Sequence, residues 1–380
     1  MVLIPILFAV ATNICSDRKR DTTDMSDTTF DKDRARAFTS RMLGILNDGA
    51  LSLMMSIGHK TGLFDSLDGQ PPATTKQIAD QAGLDERYVR EWLSAMACGG
   101  VVDYDPESEL FSLPDEHSGL VTRRAGPRNL TVQMQQIGML AEVEDDLVRV
   151  FEEGGGLPYD KFPRFQALMS DSSERRFKSG LIEQVVPLLE MTDALQAGID
   201  VADVGCGSGL ASYLPGQEFP NSRFIGFDMS TEGIARANEA AKDLDNVSYQ
   251  VADAAALNQG PNFDLVTTFD AIHDQAKPKD ALAGIFAMLR PGGTYLCVEP
   301  KASSVLEENL QDPMAPFMYT ISTMHCMTVS LAYGGDGLGA AWGHQLATEY
   351  LTEAGFRDIN VEGIRHDPGN NYFISTKAIS

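Results

Sequence analysis

Paired cysteines, an excess of base and a long hydrophobic run are all missing from this 380-residue chain, and each absence excludes something. Cys15, Cys98, Cys206, Cys297 and Cys326 are widely spaced and form no C-x-x-C pair. That argues against a zinc site or a disulfide framework and fits a reducing compartment. His59, His117, His344 and His366 stand alone, without partners at ligand spacing, so no metal is expected. Lys and Arg number 30 against 54 Asp and Glu, a formal charge of −24. Nucleic acids and anionic membranes both require neutralising bases and are therefore poor partners. The apolar opening stretch, residues 1–11, is shorter than the roughly 20 residues a membrane span needs. It also lacks the basic start of a secretory signal. Met25-Ser26 would make a natural start, so residues 1–24 are read as a non-structural extension and the protein as cytoplasmic.

What is present centres on Val201-Ala202-Asp203-Val204-Gly205-Cys206-Gly207-Ser208-Gly209. A short apolar strand ends in an acid, and a glycine-rich turn follows. Glycine suits a backbone at positive φ that a ligand must approach closely. The helix beyond offers unpaired N–H groups to whatever lies above the strand ends. The dinucleotide fingerprint G-x-G-x-x-G is not met; the spacing is G-x-G-x-G. Asp203, two residues ahead of Gly205, would repel a diphosphate but suits a cationic amino group. S-adenosylmethionine, a phosphate-free onium compound, fits both features.

Three more acids close successive predicted strands. Ser222–Phe227 leads to Asp228, placed for the ribose hydroxyls about 20 residues beyond the turn. Val247–Val251 leads to Asp253, placed for an adenine amino group, and Phe263–Phe269 leads to Asp270. Acids favour strand ends and helix caps anyway. As a set of four, they indicate a ligand.

On these residues the chain resembles the class I S-adenosylmethionine-dependent methyltransferases over about residues 177–380. The pattern Leu289-Arg290-Pro291-Gly292-Gly293 before Thr294–Glu299 belongs to the same resemblance. It implies that Asp203, Gly205, Gly207 and Gly209 hold the methionine part. Asp228 would hold the ribose with Met229 beside the adenine, Asp253 and Ala254 would bind the adenine, and Asp270 would lie near the sulfonium. The implied fold is α/β, a doubly wound seven-stranded Rossmann-like sheet. Ile359–Ile364 and Tyr372–Thr376 are its expected antiparallel edge.

The N-terminal half reads differently. Phe38, Met42, Ile45, Leu46, Leu51, Leu53, Met54 and Ile57 recur at helical spacing. Capped helices near 74–83 and 85–98 follow, then the hairpin Val101–Tyr104 and Leu110–Leu113. This order is a winged helix. DNA binding would require a basic footprint. Residues 75–120 hold only Lys76, Arg87 and Arg90 against ten acids. The resemblance implies dimerisation and pocket closure instead. The expected domains are a winged-helix and dimerisation domain over 25–125, a helical linker and lid over 126–176, and a methyltransferase domain over 177–380. A homodimer through the first is expected.

The expected reaction is methyl transfer to a small organic acceptor, with a hydroxyl favoured over an amine or thiol. A DNA-binding, cofactor-sensing regulator is the rival reading. The resemblance includes a His-Asp pair at His273-Asp274, with His273 as general base. Enzymes of that type carry tryptophan after the pair, where this chain has Gln275, and their later acidic partner has no clear counterpart. His273 is thus either a base or a structural residue. The apolar, hydroxyl-bearing run Tyr319–Thr328 holds His325, either a core residue or a second candidate base. Tyr159 and Phe162 either pack or cover the sulfonium as a lid. Trp342 is expected beside the acceptor.

Overall fold

A computed structural model describes residues 30–257, 259–365 and 367–379. The 1–24 extension and His366 lie outside them. Two compact units meet in sequence at Ser118 and Gly119. No helix among the described residues is long and apolar enough to cross a membrane.

The first unit opens with α1 (Lys32–Thr61), capped by the Asp31 carboxylate on the N–H groups of Asp33 and Arg34 and ended by Gly62 at φ 76°. After the short α2 (Leu63–Leu67), α3 (Thr75–Ala82) begins with a Thr74–Gln77 capping box and stops at Gly83. Asp85 caps α4 (Glu86–Cys98). These are the boundaries that side-chain caps and αL glycines impose. β1 (Asp103–Asp105) pairs antiparallel with β2 (Leu110–Ser112), a hairpin wing whose first strand starts two residues later than expected. The core is Phe64 and Trp92 edge to face at 5.0 Å, with the Trp92 indole donating to the Met54 carbonyl. The periodic apolar residues of α1 largely miss it. Phe38, Met42, Ile45, Leu46 and Leu53 stay exposed.

The second unit is a seven-stranded mixed sheet. Its strands are β3 (Asp200–Val204), β4 (Arg223–Asp228), β5 (Val247–Val251), β6 (Phe263–Phe269), β7 (Leu289–Pro300), β8 (Arg357–Ile364) and β9 (Asp367–Thr376). The order is 5-4-3-6-7-9-8, parallel except for the β7–β9 and β9–β8 pairs. Alternate residues go to opposite faces. Val201 and Leu265 pack on one side, Ala202, Val204 and Val266 on the other. Apolar cores on both faces are what a parallel sheet with crossover helices requires. The chain leaves β3 for β4 and β5, then returns to lay β6 on the other side of β3. A crevice outside the carboxyl ends at such a reversal is the usual ligand site.

Candidate functional site

The glycine turn is pinned by its neighbours. Gly205 and Cys206 both donate N–H to the Phe227 carbonyl, at 2.8 and 3.1 Å. Gly205 and Gly209 have φ of 75° and 83°. A Cβ on Gly209 would stand 2.4 Å from the Tyr249 ring, and one on Gly205 2.6 Å from the Ala271 methyl. Both the conformation and the close approach therefore demand glycine. Beyond the turn comes α6 (Leu210–Glu218), with α5 (Phe165–Gly180) upstream.

Asp228 closes the turn. One carboxylate oxygen accepts the Gly207 N–H at 2.8 Å and the other the Ser230 N–H at 2.8 Å. A carboxylate has about four acceptor positions, so further hydrogen bonds remain open to it. Met229 beside it is exposed. Asp253 is exposed and caps a short turn through the Ala255 N–H, while Ala254 is buried. Asp203 is enclosed: Thr267 donates to it at 3.0 Å and Ser212 at 3.4 Å. Burial raises its pKa to about 7, which the Thr267 and Ser212 hydroxyls only partly offset. Asp270 takes a φ of 51°, rare without glycine, and forms a 2.7 Å ion pair with Arg176 of α5. Arg176 also lies 3.7 Å from Asp367 at the start of β9. Its charge thus offsets that of Asp270 within the protein. The four acids do line one end of four adjacent strands, each differently engaged.

The second group of residues is built on β6, β7 and the C-terminal helices. The β6–β7 register pairs Phe269 with Val298, which brings Glu299 beside the segment after β6. Glu299, buried, accepts the Ile272 N–H at 2.9 Å and the Trp342 indole N–H at 3.2 Å. It also meets His273 Nδ1 at 2.6 Å. The acidic partner that had no clear counterpart in the sequence is therefore Glu299. Spacing does not reveal it, because its partners lie 26 and 43 residues away along the chain. The signal that marked the other four acids, a carboxylate closing a strand, was present at Thr294–Glu299 all along. Trp342 holds Glu299 in place.

His273 Nε2 lies 3.3 Å from Asp274 Oδ1. Burial opposes a charge on the ring, yet Asp274 and Glu299 outweigh it and hold the imidazole pKa well above its usual 6.5. Cys326 completes a tight group, its sulfur within 4.8 Å of ligand atoms of both His273 and Asp274. It follows α7 (Ala315–Ile321) in a π-helical turn, Ser322–Cys326, that runs into α8 (Met327–Ala332). Such turns cluster at functional sites. Here the turn buries the consecutive residues His325 and Cys326 together. His325 stacks on Phe165 at 3.5 Å and meets the edges of Phe162 at 4.7 Å and Tyr159 at 5.9 Å. Neither of its ring nitrogens has a hydrogen-bond partner. Burial drives its pKa down to about 4, leaving a neutral ring. Phe162 is a packed core residue, in contact with Val329 and Leu157.

Comparison with known proteins agrees with this geometry. Residues 49–123 match a family described as an Rv2258c-like winged HTH domain, and residues 195–355 one described as a methyltransferase domain. The chain therefore joins a winged-helix domain to a methyltransferase domain of the class I fold. An uncharacterized 37.1 kDa protein in transposon TN4556 of Streptomyces fradiae is 30% identical over 48% of this chain. The chain spans 59% of that relative's own length. The ubiquinone biosynthesis O-methyltransferase of Coxiella burnetii is 25% identical over 48% of this chain and 74% of its own. Human N-acetylserotonin methyltransferase, solved with S-adenosylmethionine, superposes with a TM-score of 0.65 at 16% identity. That superposition covers 93% of this chain and 100% of the human one, and it establishes the fold.

Proposed function

We propose that the protein transfers the methyl group of S-adenosylmethionine to a hydroxyl of a small organic acceptor by in-line displacement. The observation that carries this reading is the glycine turn tied through Gly207 to Asp228 at the strand reversal. It offers carboxylates and backbone N–H groups to an adenosyl compound. Ser230 and Asp253 cap the neighbouring turns and fix the crevice rim. The name of the Coxiella relative supports an oxygen acceptor.

Transfer from a sulfonium needs alignment above all, worth effective molarities of about 10⁵ M or more. An acceptor that sheds a proton gains a further factor of about 10²–10⁴ from a group that takes it. His273, Asp274 and Glu299 form that group. The Asp274 and Glu299 carboxylates beside His273 raise its basicity and favour the imidazolium that forms when the neutral ring takes the proton. His325 and Tyr159 face the acceptor as neutral groups, with Phe162 and Trp342 behind them.

The paired bases of α3 and α4 argue against a DNA-binding role. Lys76 pairs with Asp80, Arg87 with Glu91 and Arg90 with Glu86. The exposed stripe of α1, Phe38, Met42, Ile45 and Leu46, supports a homodimer through the first unit. Light scattering should report a dimer for the wild type and a monomer for Leu46→Lys. A cytoplasmic location fits a cosubstrate made inside cells.

The activity test is incubation with S-adenosylmethionine and a panel of phenols, amines and thiols, measuring S-adenosylhomocysteine. Turnover with a hydroxyl acceptor is expected. Product at background across the panel, after prolonged incubation, would overturn the reading.

A further inference from the structure

Beside the crevice, one cluster brings together the three ligand types of a zinc-class site. His273, Asp274 and Cys326 present a ring nitrogen, a carboxylate oxygen and a sulfur that all lie within 4.8 Å of one another. No ligand spacing along the chain announces this group, because Cys326 joins the other two only through the fold.

Four observations point to a cation at the centre of this group. The 3.3 Å between His273 Nε2 and Asp274 Oδ1 is close to a tetrahedral edge, about 3.3 Å for metal bonds near 2.05 Å. The two atoms are near but not hydrogen-bonded, since buried Asp274 Oδ1 has no hydrogen-bond partner. His273 is oriented from behind, its Nδ1 against Glu299, which is itself held by the Ile272 N–H and the Trp342 indole. A histidine ligand whose other ring nitrogen donates to a fixed carboxylate is the usual second layer of a metal site. Finally, the π-helical turn Ser322–Cys326 carries the sulfur inward, beside a buried His325 that also lacks partners.

We propose that His273, Asp274 and Cys326 bind a divalent zinc-class ion through Nε2, a carboxylate oxygen and Sγ. Mixed N, O and S ligands suit zinc or cobalt and disfavour magnesium and calcium. Three protein ligands leave a fourth position open, as in reactive rather than structural zinc sites. Water fills it at rest, and an acceptor oxygen or sulfur can replace that water. Coordination takes Cys326 as thiolate, its proton passing to solvent. The ion then stands where the cluster would otherwise gain its proton. The proposal stands on the cluster's geometry and does not depend on which acceptor is methylated.

Cobalt reads the site directly. The full-length protein is freed of metal with chelator and titrated with Co²⁺. The account expects about one equivalent bound, with an intense near-ultraviolet thiolate-to-cobalt band that Zn²⁺ abolishes and Mg²⁺ does not. Cys326→Ser should lose the band, and Asp274→Asn should weaken uptake about tenfold or more. S-adenosylhomocysteine titrations on the same samples report the fold and the crevice separately. No uptake by wild type with S-adenosylhomocysteine affinity intact would overturn the metal site alone. So would a band that persists unchanged in Cys326→Ser.

Discussion

The crevice at the ends of β3–β6 and the cluster around His273 are built in opposite ways. In the crevice, each residue sits where its own strand ends, and local rules place it: glycine where φ is positive, an acid where N–H groups need a cap. The His273 cluster has almost no local logic. Glu299, Trp342 and Cys326 reach it from three separate elements. The crevice proposed for the cosubstrate is written in a motif, and the cluster proposed for the acceptor is written in the packing of distant segments.

Substitutions should separate the two regions, and the largest effect is expected in the turn. Gly209→Val drives a side chain into the Tyr249 ring at a φ that β-branched residues avoid. Calorimetry should show S-adenosylhomocysteine affinity falling at least about a hundredfold. Retained affinity would mean that the turn is not where the ligand lies.

Glu299→Gln tests the other region. It removes one of two charges facing His273 while keeping most of the hydrogen bonds. Turnover should fall about a hundredfold with cosubstrate affinity within a few-fold of wild type. His273→Ala should do the same, and the double variant should lose little more than either single one. Additive losses would contradict a cluster that works as a unit.

A pH series examines Asp203. Its carboxyl titrates near 7 in the folded protein and near 3.8 unfolded. Between these values the folded state holds the extra proton, so stability falls as pH rises from about 4 to about 7 and then levels. The ligand-free melting temperature of wild type should follow that course, and Asp203→Asn should flatten it. A cationic ammonium would favour the ionised form, so cosubstrate affinity should rise through the same window. Identical pH courses for the two proteins would remove Asp203 from the account.

The smallest effect is expected at His325. Its two ring nitrogens are buried and unpartnered. His325→Phe removes that cost and should stabilise by about 1 kcal/mol, read as a melting temperature higher by a few degrees. Acceptor turnover should drop while S-adenosylhomocysteine affinity holds. A destabilised variant would mean that the imidazole is partnered in solution.

These two regions also explain how far the sequence could be read. β5 and β6 match their predicted ends, and β4, β8 and β9 differ by a few residues at their starts. Period and turn chemistry specify such elements locally. The periodic residues of α1 predicted a helix but not that much of its apolar face would stay uncovered. Periodicity reveals an apolar stripe without naming what covers it. Arg176 and Glu299 were legible only once β6, β7 and α5 had neighbours, because an ion pair between distant segments leaves no mark on spacing. Trp342, expected beside an acceptor, donates its indole N–H to Glu299, a contact that no spacing announces.

The central claim is that the strand-end crevice holds a phosphate-free adenosyl compound, and calorimetry of the purified chain with S-adenosylhomocysteine tests it most directly. The account predicts one saturable site, weakened at least tenfold by Asp228→Ala, and no comparable heat with NADH. Tight NADH binding without heat from S-adenosylhomocysteine would contradict it.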